Sequence, residues 1–196
     1  MAVTGPLKMN IVTLSYHSTN YYAIDLDERK LLIDCGWPGT LTQFTAEMKR
    51  KGIVPADIRY ILVTHFHPDH AGLVQEFKDQ GSKLILMESQ VRFVTSVKGH
   101  LRTKKDAFTE IRPDDNFILS FRESRKFLAS LGLAGEVLET PGHSPDSITL
   151  VLDEGSAFIG DLPPRFLIPD DDKLKQESWE RISQHHITRI FPAHGS

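Results

Sequence analysis

Apolar and polar positions alternate in short blocks along this chain, and charged or glycine-containing breaks separate the blocks. Ile11 to Leu14 and Tyr21 to Leu26 place β-branched, aliphatic and aromatic residues at strand spacing. A charged turn, Asp27-Glu28-Arg29-Lys30, leads into a third strand, Leu31 to Asp34. The period then lengthens. Leu41, Phe44, Thr45 and Met48 recur at three and four, which predicts a helix over 41–51 closed by Gly52. Tyr60 to Thr64 predicts a strand, 71–80 a helix stopped by Gly81, and Lys83 to Met87 another strand. Residues 88–116 are charged, with scattered Phe and only partial helical character. A helix over 120–131 starts with Ser120 and Glu123 at capping-box spacing and ends before Gly132. Strands follow over 136–140, 147–152 and 156–159, and Asp153-Glu154-Gly155 forms a hairpin turn between the last two. A proline-rich loop over 162–172, a helix over 173–186 and a strand over 187–191 complete the pattern.

Strands interleaved with helices, together with adjacent hairpin strands, predict a layered α/β fold with mixed sheets. No linker or internal repeat interrupts the order, so one domain over residues 1–196 is expected. A chain of 196 residues can build a core without cross-links.

Composition narrows the class. Hydrophobic residues at 40% and charged residues at 25% exclude a disordered, collagenous or coiled-coil chain. A net charge of -3 argues against a nucleic-acid partner bound by bulk electrostatics. Cys35 is the single cysteine, which excludes an intrachain disulfide framework and a four-cysteine zinc site, and fits a reducing compartment. Met1 to Asn10 has no apolar stretch of signal-peptide type, and no run reaches the roughly 18 apolar residues of a membrane span. A cytoplasmic protein without a membrane partner is expected. The nine histidines are the unusual item.

Their positions point to chemistry. In His65-x-His67-x-Asp69-His70 the first two imidazoles project the same way from extended chain, and Pro68 favours that geometry at His67. The chain then enters a helix, which can aim Asp69 and His70 at a second point, so one loop can serve two adjacent metal positions. Three more strand ends carry donors beside Gly or Pro: His143 in Thr140-Pro141-Gly142-His143, Asp161 after Gly160, and His194 in Pro192-Ala193-His194-Gly195. Strand ends are where α/β folds build their sites.

Thr64-His65-Phe66-His67-Pro68-Asp69-His70-Ala71-Gly72, with Pro141-Gly142-His143-Ser144, Gly160-Asp161 and Ala193-His194-Gly195, resembles the metallo-β-lactamase superfamily across nearly the whole chain. The resemblance implies an αββα sandwich of two mixed sheets flanked by helices, with the site at one edge. It implies that His65, His67 and His143 hold one metal, that Asp69, His70 and His194 hold a second, and that Asp161 bridges them. Asp34 matches the family's early Asp, which stands behind the ligands and orients the metal-binding loop. Two divalent metal ions are the implied cofactors. Zinc suits the nitrogen and carboxylate donors best, while iron, manganese and cobalt also tolerate them. Such a pair shares a hydroxide that attacks a small ester, thioester, lactone or lactam, with Asp69 as the catalytic side chain that accepts its hydrogen bond. The alternatives are a phosphodiesterase, an iron-dependent oxygenase of a sulfur compound, and a non-catalytic metal-binding scaffold.

Departures narrow the branch. His67 stands where flavin-linked di-iron oxidases have Glu, and Asp161 where one β-lactamase group has Cys. Pro164 stands where acyl-homoserine lactonases place a Tyr. The basic elements of RNase Z-like nucleases are not seen. The chain ends two residues after His194, without the extra helical domain of glyoxalase II, and another subunit of a homo-oligomer would have room there. Specificity for a small-molecule substrate is expected to reside in 88–116 and 162–172, whose Phe, Arg and Lys suit an apolar substrate with an acidic group. Tyr16, Trp37 and Phe66 are candidates for the pocket or for the core. His17, His100, His185 and His186 lack the motif context, and Arg165 reads as an exposed loop cation.

Overall fold

A computed structural model describes residues 9–26, 29–101 and 107–195. Six strands form the first sheet in sequential order: β1 (Ile11–Tyr16), β2 (Thr19–Leu26), β3 (Arg29–Ile33), β4 (Ile58–Leu62), β5 (Lys83–Met87) and β6 (Phe117–Leu119). The pairs β1–β2 and β2–β3 are antiparallel, and β3–β4, β4–β5 and β5–β6 are parallel. The second sheet has the order β10–β9–β8–β7, from β7 (Gly135–Glu139), β8 (Ile148–Leu152), β9 (Ser156–Gly160) and β10 (Arg189–Pro192). Only β9–β10 is parallel there. Both sheets are therefore mixed.

The two-residue period sorts the side chains into layers. From β3, β4 and β5, Leu31, Ile33, Leu62, Ile85 and Met87 face the second sheet, where they meet Ile148, Leu150, Leu152 and Phe158. The alternate residues Leu32, Ile61, Leu84 and Leu86 face outward and pack with Phe44 and Met48 of α1 (Leu41–Arg50). On the far side of the second sheet, Val151, Ala157 and Ile159 pack against Trp179 and Ile182 of α5 (Lys173–Ser183). The layers run helix, sheet, sheet, helix. Helix α4 (Phe121–Ser130) lies beside β6 and β7 and sends Leu128 between the sheets. The Glu123 carboxylate accepts from both the Ser120 N–H and its hydroxyl, at 2.9 and 2.7 Å, as the capping-box spacing predicts. No helix among the described residues is long and apolar enough to cross a membrane.

Strand direction puts one set of chain ends at one edge. β7, β9 and β10 run the same way, as do β3, β4, β5 and β6, and β2 begins where these end. The Ile148 N–H donates to the Thr64 carbonyl at 2.9 Å, and the Asn20 N–H to the Ala193 carbonyl at 2.7 Å, so this edge of the two sheets is tied together.

Several expectations are corrected. The helix over 71–80 is two short helices, α2 (Pro68–Ala71) and α3 (Val74–Asp79). The Gly72 N–H turns to the Gly36 carbonyl, 2.9 Å away, and the ladder breaks there. Asp69 and His70 consequently lie within α2. The third strand begins at Arg29 and stops at Ile33, leaving Asp34 outside it, and 27–28 of the charged turn lie outside the described residues. Residues 88–116 hold two 3-10 stretches, Glu88–Phe93 and Ser96–His100, and 102–106 lie outside the described residues. Helix α5 ends at Ser183 because the Thr188 N–H is drawn to the Gly155 carbonyl at 2.8 Å, which starts β10.

Gly72 tolerates no side chain. A Cβ there would lie 2.4 Å from Pro38 N, Pro38 Cδ and the Pro68 carbonyl. Gly72→Ala is expected to destabilise the fold by about 2–3 kcal/mol through overpacking against rigid backbone. Urea denaturation measures this, and an unchanged midpoint would contradict it.

Candidate metal centre

Four segments reach the tied edge with the seven side chains singled out above. The loop after β4 and helix α2 bring His65, His67, Asp69 and His70. The loop from β7 to β8 brings His143, the end of β9 brings Asp161, and the end of β10 brings His194. The approach of β9 to β4 depends on Gly160, whose φ is +56° and whose Cβ would lie 2.7 Å from Thr64 Oγ1. With no side chain between them, Thr64-His65 and Asp161 meet across the two sheets.

The seven residues fall into two overlapping groups. In the first, His143 Nε2 lies 3.1 Å from His67 Nδ1 and 3.4 Å from Asp161 Oδ2, and His65 Nε2 lies 3.8 Å from that oxygen. In the second, Asp69 Oδ2 is 3.3 Å from His70 Nε2 and 3.2 Å from His194 Nε2. Asp161 Oδ1 is 3.2 Å from His70 Nε2 and 3.3 Å from His194 Nε2. One carboxylate thus presents a different oxygen to each group. The sets His65–His67–His143, His65–His70–Asp161 and Asp69–His70–His194 each bring donor atoms within metal-binding reach of one another.

The surroundings aim these donors. Asp34 adopts φ +58°, a left-handed conformation that Asp tolerates better than most residues. Its Oδ2 accepts from the His70 Nδ1–H at 2.8 Å and from the Thr64 hydroxyl at 2.8 Å, and its Oδ1 accepts from the Thr64 N–H at 2.7 Å. With Nδ1 as the donor, the His70 lone pair is on Nε2. The His194 Nδ1–H donates to the Ser18 carbonyl at 2.7 Å, with the same consequence. The Thr19 hydroxyl donates to Asp69 Oδ2 at 3.1 Å. The Asp146 carboxylate accepts from the Phe66 N–H at 2.7 Å, and Gln90 Nε2 donates to the Val63 and Asp146 carbonyls at 3.0 and 3.1 Å.

Donor chemistry fits a cation. His65 Nε2, His70 Nε2 and Asp161 Oδ1 are buried and have no hydrogen-bond partner among the described residues. Unsatisfied buried polar atoms each cost about 1–3 kcal/mol, more when charged, so their convergence calls for an electrophile. Burial pushes His65 well below the ordinary imidazole range, helped by its neighbouring histidines, and burial also lowers His67 and His143. Those three rings are neutral at physiological pH and offer lone pairs. Burial opposes charge on His70 too, but the carboxylates of Asp34, Asp161 and Asp69 around it overcome that and raise the ring, so they favour a positive charge at its Nε2, where a cation would sit. Burial would raise Asp161 and Asp69, yet His70 holds both below the usual carboxylate range.

The remaining candidates separate. Phe66 and Tyr16 belong to the core between α1 and the first sheet. Trp37 is half-buried, with its Nε1 inside and without a partner among the described residues. Cys35 is fully buried. His100 does approach the site: its ring centroid lies 4.5 Å from that of His67, although no local motif marks it. Thr19, Ser18, Gln90 and Asp146 also went unmarked in the sequence. The only signal for Asp146 was its place three residues after His143, beyond Pro145. A cavity of about 650 Å³ opens at Asp161, His143 and His194, and the 162–167 loop forms part of its wall.

Residues 15–194 match the model of the metallo-beta-lactamase superfamily. A beta-lactamase-like protein 2 homolog of Drosophila melanogaster is 31% identical over 97% of this chain and 63% of its own length. A probable metallo-hydrolase of Methanocaldococcus jannaschii is 29% identical over 91% of this chain and 88% of its own. The chain spans about three fifths of the length of the animal relatives it matches. Among solved structures, a metallo-beta-lactamase of Novosphingobium pentaromativorans superposes with a TM-score of 0.72 at 23% identity, over 94% of this chain and 73% of its own, a likeness of fold.

Asp34→Asn keeps the shape but turns an amide donor either toward the His70 Nδ1–H and the Thr64 hydroxyl or toward the Thr64 N–H. With either orientation at least one hydrogen bond of the Asp34 cradle is lost, and the variant is expected to weaken divalent-metal affinity about 10–100-fold while far-UV circular dichroism is unchanged. Competition titration against a chromogenic chelator measures this, and wild-type affinity would contradict it.

Proposed function

The chain belongs to the metallo-beta-lactamase superfamily, and from that membership we propose that it is a binuclear metal-dependent hydrolase of a small ester, thioester, lactone or lactam. The observation that carries this reading is the two-faced carboxylate of Asp161, with Oδ2 toward His65 and His143 and Oδ1 toward His70 and His194. His65, His67 and His143 would hold one divalent ion, and Asp69, His70 and His194 the other, with Asp161 shared. Zinc suits this set of imidazole and carboxylate donors best. When bound, the metal pair supplies Lewis acidity for the substrate carbonyl and a water of pKa about 7 as nucleophile.

The chain's own groups perform the rest. Asp69 is anchored by Thr19 and is an ionised carboxylate beside the site, so it can accept a hydrogen bond from the attacking water and orient it. Asp34 holds the His70 ring still, and Asp146 holds the backbone that carries His65 and His67. Aiming donors in advance removes reorganisation from the reaction. A protein nucleophile is not needed. Cys35 is sealed in the core, where burial pushes its thiol up, and no GxSxG motif occurs. The near-neutral charge supports a small-molecule substrate over a nucleic acid. We also propose a cytoplasmic location, supported by the single buried cysteine.

Metal-quantified protein run on ester, thioester, lactone, lactam and phosphodiester substrates tests the reading. Two metal ions per chain are expected, with hydrolysis of at least one acyl substrate. His65→Ala is expected to lose metal and at least about 100-fold in kcat/KM. Hydrolysis that survives His65→Ala, or cleavage confined to phosphodiesters, would overturn it.

A further inference from the structure

The wall of the candidate centre is polar on one side and apolar on the other. The cavity of about 650 Å³ shares Asp161, His143 and His194 with the metal groups, so whatever fills it touches the reacting centre. Away from those three residues its lining is Leu162, Phe166, Trp179, Ile190 and prolines, with Arg165 as the one cation. We propose that this cavity is the acyl pocket, and that the substrate is a carboxylic ester or thioester whose apolar acyl arm lies along Leu162, Trp179 and Ile190 and bears a carboxylate held by Arg165. The proposal rests on the hydrolase reading and names its substrate class.

Four observations carry it. The volume suits a small organic molecule, since ligand sites commonly hold about 300–1,000 Å³. The apolar lining has a packed floor and an open rim: Leu162 and Trp179 are buried with only an edge on the cavity, while Phe166 is 86% exposed and Ile190 49% exposed. The pocket is also built rather than incidental. Trp179 Nε1 donates to the Pro163 carbonyl at 2.9 Å, and the Ser178 hydroxyl to the Pro141 carbonyl at 2.6 Å. Helix α5 therefore fixes both the 162–167 loop and the loop that carries His143. Finally, Arg165 is exposed and no carboxylate among the described residues lies within ion-pair distance of it. A single guanidinium matches the planar fork of one carboxylate, whereas a doubly charged phosphate calls for more cations than this wall has.

The reaction is ordinary hydrolysis. The oxygen of water bonds to the acyl carbon, the acyl C–O or C–S bond breaks, and a proton from that water goes to the leaving oxygen or sulfur.

p-Nitrophenyl esters with acyl chains of two to eight carbons, run on the metal-loaded protein, test the pocket. The expected kcat/KM rises about threefold to fourfold per methylene until the cavity is filled. In Ile190→Trp, at a half-exposed position and with far-UV circular dichroism checking the fold, the ratio of eight-carbon to two-carbon ester collapses toward one. The half-ester of suberate is expected to outrun the octanoate ester, and Arg165→Ala lowers that preference about tenfold. Calorimetry supplies a readout without turnover: octanoate should bind the metal-loaded protein more tightly than acetate, and the difference should vanish in Ile190→Trp. A flat chain-length profile with the acetate ester still hydrolysed overturns the acyl pocket and leaves the hydrolase standing. Equal octanoate and acetate affinity also overturns the pocket. Failure to hydrolyse any ester with both metals bound overturns the two together.

Discussion

The contact between Gly160 and Thr64 is the constraint on which the site depends. Gly160 ends β9 of one sheet and Thr64 follows β4 of the other, and each stands one residue before a donor, Asp161 or His65. The left-handed φ of Gly160 and its missing Cβ let the strand ends close to a distance that any side chain would prevent. That closure brings Asp161 between histidines supplied by both sheets. A donor set divided in this way cannot form on either sheet alone, so the site is a consequence of the packing of the whole sandwich. The period-two burial on β3, β4, β5, β8 and β9 supplies the driving force, because the apolar faces between the sheets are hidden only when they stack.

The price of that closure is a cluster of charged and polar groups in a low-dielectric edge. The chain offsets part of it by hydrogen bonding the far side of some of these groups. Asp34 takes the back of His70 and Ser18 the back of His194, and Thr19 steadies Asp69 at Oδ2, the oxygen that also faces His70 and His194. What remains without a partner points inward, at His65 Nε2, His70 Nε2 and Asp161 Oδ1. Charge is graded across the site as well. Burial keeps His65, His67 and His143 neutral, while three carboxylates around His70 favour a positive charge at its Nε2. The imidazoles of one half are thus ready to give lone pairs, and the other half carries the negative charge.

Much of this was legible in the sequence because it is local. Strand periods gave the elements, and His65-x-His67-x-Asp69-His70 announced its own geometry through Pro68 and the two-residue period. What stayed hidden was set by distant contacts. The break at Gly72 arises from the Gly36 carbonyl and Pro38, more than thirty residues earlier. A helical period over 71–80 carries no trace of either. Thr19, Asp146 and Gln90 are ordinary polar residues in sequence, and their meaning comes from partners 50, 80, 27 and 56 positions away. His100 is the same case, since a histidine without a motif shows its neighbour only after folding. The substrate wall was half legible. The 162–172 loop was marked by irregularity, but Trp179 and Ile190 sit on regular elements and looked like plain core and strand residues.

The division between those two walls has a consequence for how such a scaffold can vary. The donors sit at strand ends and on α2, several of them held by hydrogen bonds from Asp34, Thr19 and Ser18, and a change there disturbs several partners at once. The apolar wall is a loop held to helix α5 by Trp179 and Ser178 through two backbone carbonyls. Backbone carbonyls accept a bond whatever their side chains are. Pro164, Arg165 and Phe166, which are exposed, can therefore be exchanged without loosening the loop's anchorage, while Leu162 stays packed against Trp179 and Ile182 and keeps the loop in place beside Asp161. Chemistry is carried by the part of the molecule that tolerates little substitution, and substrate choice by the part that tolerates much. The two meet at Asp161, which serves both metal groups on one side and opens the cavity on the other.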